Sequence, residues 1–86
     1  MKNVEYFLND KFIVLKMLYE HQMDINGTVV CPITQQELAD ISGFSKAKIN
    51  SILNELIKNQ YVQIYNNTKG RYVILDEAIK TIKKLL

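Results

Sequence analysis

Residues 41–56 read ISGFSKAKINSILNEL, and the placement of Gly43 and Ser45 within this stretch sets how the chain folds. Wound as a helix from Ser45, the segment puts Ile49, Ile52, Leu53 and Leu56 on one side and Ala47, Asn50, Ser51 and Asn54 on the other. Ser45 suits the position before that helix, because its hydroxyl can accept a hydrogen bond from a first-turn amide that has no partner inside the helix. Gly43 suits the end of a preceding helix, where the backbone turns through a left-handed residue and lets Phe44 pack back towards the core. Upstream, Thr34 and Glu37 form an S/T-x-x-E capping box. The spacing therefore predicts a short helix over 35–42, a tight turn, and a second helix running to about Asn59. Its outer face is small, neutral and amide-bearing, whereas a solvated face is ordinarily rich in Glu and Lys.

On the N-terminal side, Val4, Phe7, Leu8, Phe12, Val14, Leu15, Leu18 and Tyr19 recur at helical spacing and predict a long first helix from Val4 to about Gln22. In the following DINGTVVCPI, Asn26-Gly27 marks a turn and β-branched Thr28-Val29-Val30 leads to Pro32, which fits a short edge strand. After the central helices, YVQIYNNTKGRYVIL alternates Val62 and Ile64 with Gln63 and Tyr65. It then passes through the loop 66–70 and alternates Tyr72 and Ile74 with Val73 and Leu75, the pattern of a β-hairpin. Asp76 is placed to cap a last helix in which Ala78, Ile79, Ile82, Leu85 and Leu86 share a side opposite Lys80, Lys83 and Lys84.

A chain of 86 residues, 48% hydrophobic, has room for one domain with one modest core and is too apolar for disorder. No run approaches the roughly 18 consecutive apolar residues of a membrane span, and MKNVEYFLND lacks the apolar centre of a signal peptide, so a soluble, cytoplasmic protein without a membrane partner is expected. The one cysteine, Cys31, has no internal disulfide partner, and with the one histidine, His21, it cannot supply a zinc site; both read as structural or incidental, and no metal or cofactor is expected. No glycine-rich phosphate loop or local catalytic cluster occurs, which argues against an enzyme. The net charge of +2 is slight, but it is unevenly spread. Residues 1–32 carry three lysines against four carboxylates, while 33–75 carry Lys46, Lys48, Lys58, Lys69 and Arg71 against Glu37, Asp40 and Glu55.

Leu38-Ala39, where a small residue lets two helices approach, Gly43 in the turn, the anchors Phe44, Ile49 and Ile52, and the hairpin that follows carry a resemblance. Residues 34–75 resemble the winged helix-turn-helix core of bacterial and phage DNA-binding regulators, similar in layout to the multiple-antibiotic-resistance-type repressors. The resemblance implies one mainly α domain (α+β) over 1–86, with a three-helix core, the helix-turn-helix at 35–59, a two-stranded wing at 61–75 and a C-terminal helix at 77–86. It also implies sequence-specific binding of double-stranded DNA, as a transcriptional regulator such as a repressor or as the DNA-binding component of a plasmid or phage replication or partition system.

On this reading the second helix enters the major groove. Ala47 and Ser51 permit close approach to base edges, and Asn50 and Asn54 have the amides that can pair with adenine. Lys46, Lys48 and Lys58 border that face and suit phosphates, with Thr34, Gln35 and Ser45 at the helix starts and Lys69 and Arg71 on the wing. Tyr61, Tyr65 and Tyr72 read as hairpin packing rather than as base-stacking groups. A thinner apolar stripe on the first helix, Tyr6, Ile13 and Met17, joins Ile82, Leu85 and Leu86 as the expected interface of a homodimer. A competing expectation, from another class, is a winged-helix module that docks on a protein partner and never touches nucleic acid.

Overall fold

The computed structural model describes residues 9–68 and 70–85, and of Leu85 only the backbone. Its elements are α1 (Asp10–Glu20), β1 (Met23–Ile25), β2 (Thr28–Pro32), α2 (Gln35–Ser42), α3 (Lys46–Lys58), β3 (Val62–Ile64), β4 (Arg71–Ile74) and α4 (Asp76–Leu85). The local signals around the turn are realised atom by atom. Thr34 Oγ1 accepts from the Glu37 amide at 3.0 Å while Glu37 Oε1 accepts from the Thr34 amide at 2.9 Å, closing the capping box from both sides. Gly43 sits at φ +81 with its N–H donating to the Ala39 carbonyl. Nothing lies within 4 Å of where its Cβ would stand, so glycine is required there by backbone conformation and not by space. Ser45 Oγ accepts from the Lys48 amide at 3.1 Å and starts α3. At the other end of α3, Tyr61 donates to the Leu56 carbonyl and Gln60 to that of Ile57, a Schellman closure with Gln60 itself left-handed at φ 63.

The first helix departs from expectation. Asn9 is extended (φ −71, ψ 175) and its Oδ1 accepts from the Phe12 amide, so a cap stands where a helix running unbroken from Val4 was expected. Residues 4–8 lie outside the described residues. Within α1, Phe12, Val14, Leu15, Met17 and Leu18 are all buried, because α2, α3, α4 and β4 surround this short helix. Met17, expected on a second free stripe, therefore belongs to the core, and Ile13 is half-buried against it. Ile82 is likewise fully buried in the core on α4 and cannot serve a dimer surface. Tyr6, Leu86 and the Leu85 side chain lie outside the described residues.

The sheet is larger than the hairpin read from the sequence. Its four antiparallel strands run in the order β1-β2-β4-β3. The stretch expected as an edge strand is interior: β2 pairs with β1 through the two-residue turn Asn26 (φ 53) and Gly27 (φ 87), and with β4, where Cys31 lies opposite Tyr72. Asp24 Oδ1 accepts from the Gly27 amide at 2.8 Å and holds that turn. In the wing, Val62, Tyr72 and Ile74 are buried as the alternation requires, but Ile64 is 41% exposed. Directly after Ile64 the chain leaves the strand through a single 3-10 turn, Tyr65–Asn67, with Asn66 and Asn67 both left-handed. Tyr65 consequently caps the strand instead of continuing it. At α4 the Leu75 carbonyl accepts from Ala78 and Ile79, so Leu75 occupies the start of the helix, one residue before the expected Asp76. Asp76 and Glu77 in its first turn and Lys83 and Lys84 in its last oppose the helix dipole favourably.

One core joins these parts. Leu18 from α1, Leu38 from α2, Ile49 and Leu53 from α3, Val62 and Tyr72 from the sheet and Ile82 from α4 meet with almost no exposed surface. Among the described residues no charged or polar residue is buried and no buried side-chain polar atom lacks a partner, so burial is almost purely apolar and favourable. Cys31 lies in this core, where it packs as a small hydrophobic side chain, and desolvation pushes its thiol up to about 12.

Candidate nucleic-acid interface

The buried side of α3, Ile49, Ile52, Leu53 and Leu56, fixes the rotation of the helix, and that rotation turns Ala47, Asn50, Ser51 and Asn54 outward. The exposed amides are not independent. Asn54 Nδ2 donates to Asn50 Oδ1 at 3.1 Å, and Asn50 Nδ2 donates to Gln35 Oε1 at 3.3 Å, so a relay of three carboxamides crosses from α3 to the first residue of α2. The coupling between Gln35 and Asn50 had no signal in the sequence, since the two are 15 positions apart and belong to different helices.

Beside this relay runs a groove of about 490 Å³ between the two helices and the wing. Thr34, Gln35, Lys46, Asn50 and Asn54 line its polar side, and Leu53, Ile57, Ile64 and Tyr72 give it an apolar floor. Gly70 closes the wing end, at φ +85, and a Cβ there would stand 3.3 Å from Thr34 Cγ2, so the tip of the wing rests on the cap of α2. The structure thus gathers five of the expected contact residues around one concavity.

The remaining ones are distributed differently. Lys48 was expected to border the amide face for phosphates; instead it is ion-paired with Asp10 of α1, and its ammonium lies 4.4 Å from the centroid of the half-buried Phe44 ring. The physical reason is the cap at Asn9, which starts α1 where Asp10 reaches α3. Next to it, Lys11 pairs with Glu55 at 2.6 Å. Both pairs are half-exposed and contribute at most about 1 kcal/mol each, so their main effect is to hold charge on that flank. Lys46 and Lys58 have no ion pair among the described residues. They stand at opposite ends of α3, about 18 Å apart along its axis at about 1.5 Å per residue. Thr34 and Ser45 use their oxygens as helix caps, and each keeps its hydroxyl hydrogen to donate outward. Arg71 is exposed on β4, and Lys69 lies outside the described residues.

Among the described residues there is no cluster of His, Cys, Asp or Glu able to hold a metal ion, and no helix is long and apolar enough to cross a membrane.

A capped helix-turn-helix with a β-wing beside it, and an outward helix face of small and amide side chains, defines a domain of the winged helix-turn-helix class. Residues 13–78 match the family model of the Crp-like helix-turn-helix domain, and the chain belongs to that family. The element order that carries the resemblance to the multiple-antibiotic-resistance-type repressors is common to winged domains, and the family matched is the Crp-like one.

Solved structures share the fold. A transcriptional regulator of the CRP/FNR family from Thermus thermophilus superposes with a TM-score of 0.72 at 23% identity, over 95% of this chain and 42% of that one. The reduced (Fe(II)) CO-sensing protein from R. rubrum gives 0.73 at 24% identity, over 88% of this chain and 35% of that one. The imidazole-bound CO-dependent transcription factor CooA from Carboxydothermus hydrogenoformans gives 0.66 at 10% identity, over 95% and 39%. The chain therefore spans roughly two fifths of the length of these proteins. No curated protein matches the sequence.

Proposed function

We propose that α3 lies in the major groove of double-stranded DNA and that Ala47, Asn50, Ser51 and Asn54 read base edges there. The observation that carries this is the outward face of α3. Ala47, Asn50, Ser51 and Asn54, four of its exposed side chains, are small or carry an amide, and two lysines at its ends, Lys46 beside the groove and Lys58, have no ion pair among the described residues. Small side chains allow the helix axis to approach the bases, and asparagine can pair with adenine through N6 and N7. Lys46, Thr34 and Ser45 sit at the N-termini of α2 and α3, where helix amides and a cation together suit phosphate oxygens. Arg71 brings the wing to the neighbouring backbone or minor groove.

A second copy of the chain occupies the other half of the site, because a single module of this size buries only about 600 to 1,000 Å² on DNA. With Met17 and Ile82 committed to the core, the dimer surface lies elsewhere than on those residues. The protein acts in the cytoplasm as a regulator that occupies its operator.

Selection of bound fragments from random duplex DNA tests the proposal. The expected result is one enriched, two-fold symmetric site whose half-sites lie about one helical turn apart, with affinity falling steeply as salt rises. Sequence-blind binding, or binding indifferent to salt, refutes it and favours a protein-docking module.

A further inference from the structure

We infer that Gln35, on α2, is a positioning residue that sets the orientation of the Asn50 carboxamide on α3 and so determines which base that amide accepts. This rests on the reading of α3 as the base-contacting helix. An asparagine amide has two N–H donors and one oxygen with two lone pairs, and its terminal torsion is broad and nearly two-fold, so an isolated exposed asparagine can exchange its donor and acceptor ends by turning over. Asn50 is not isolated. One of its N–H groups is engaged by Gln35 Oε1 at 3.3 Å and one lone pair of its oxygen by Asn54 Nδ2 at 3.1 Å. Turning Asn50 over would set its oxygen against Gln35 Oε1 and its nitrogen against Asn54 Nδ2, two repulsive contacts, unless both neighbours turned as well.

The three amides thus share one polarity. What remains free on Asn50 is one N–H and one lone pair, the complement that adenine presents at N7 and N6. The anchor of the relay is firm at the Gln35 end. Gln35 is half-buried in the groove and follows directly on Thr34, whose backbone is held by the closed capping box. Asn54, by contrast, is exposed and adjoins Asn50 only along the surface of α3. Gln35 therefore contributes to discrimination through Asn50, which separates it from a residue that merely holds a phosphate.

The test is selection from random duplex DNA with the full chain and with Gln35→Ala, Gln35→Glu, Asn50→Ala and the Gln35→Ala/Asn50→Ala double variant, their folding checked by circular dichroism. Asn50→Ala locates the base pair that Asn50 reads. Gln35→Ala is expected to lower the preference at that same base pair about fivefold, within the range of a bidentate contact, and the double variant to fall no further than Asn50→Ala alone. Gln35→Glu keeps the oxygen that accepts from Asn50, so it retains the preference while its negative charge weakens binding to every sequence. Gln35→Ala that weakens all sequences alike, with the preference intact, overturns the inference and assigns Gln35 to the phosphate backbone. Asn50→Ala with an unaltered preference at every position fails at the earlier step, the placement of α3 on the bases.

Discussion

The two flanks of α3 are built on opposite plans. On the side facing α1, Lys48 and Glu55 are each tied to a partner of opposite charge, Asp10 and Lys11, and Lys48 also lies over Phe44. On the side facing the wing, the side chains are the neutral amides of Asn50 and Asn54, joined to Gln35, with Lys46 unpaired among the described residues. One helix is thereby both anchored and legible. Charges that would blur recognition are neutralised against a neighbouring helix, and groups with directional hydrogen bonds are kept on the open side.

Both plans hang on the same buried stripe, so the most severe test removes part of it. Leu53→Ala, at a residue 1% exposed that also floors the groove, is expected to destabilise the domain by about 2 to 5 kcal/mol, measured by urea unfolding. A loss well under this range would mean that α3 is held chiefly by its flanks. Next in size, Gly43→Ala forces a side chain into a left-handed turn with no clash to relieve, and should cost about 1 to 2 kcal/mol in the same measurement.

The lysines test the flanks directly. Lys46→Ala should flatten the dependence of log affinity on log salt by about 0.9, equivalent to roughly a threefold change between 50 and 200 mM salt, whereas Lys48→Ala should change it much less. Equal slopes for the two variants would erase the distinction between the flanks. Smallest, Asp10→Asn releases Lys48. Its effect on stability should stay below about 1 kcal/mol, and the salt dependence of duplex binding should steepen towards one further phosphate contact, an increment that vanishes when Lys48→Ala is already present.

How much of this was legible follows from the range over which each signal acts. The capping box at Thr34 and Glu37, the left-handed Gly43 and the Ser45 cap are decided within three or four residues, and each is found as read. The exposed amide face followed from helical periodicity, which needs no knowledge of neighbours. What the sequence did not disclose depends on pairs far apart along the chain: Asn50 with Gln35, Lys48 with Asp10, and β2 with β4. The misplacement of Met17 and Ile82 has the same origin. Periodicity shows which side chains share a stripe, but whether a stripe meets solvent or a partner element is settled by the assembly of the whole core, and here α1 is enclosed on nearly every side.

The interior position of β2 has a consequence for how the domain comes together. Its pairing with β1 closes through a two-residue turn and involves only neighbours in sequence, as does the helix-turn-helix. Its pairing with β4 joins Cys31 to Tyr72 across about forty residues, an interval that includes both helices of the motif. Closing so long a loop costs less entropy once the intervening segment is compact, so the wing docks on β2 late, on a surface that the other elements have already prepared. The seam then lies mostly on the native side of the folding barrier, and substitutions at Cys31 or Tyr72 should speed unfolding far more than they slow folding.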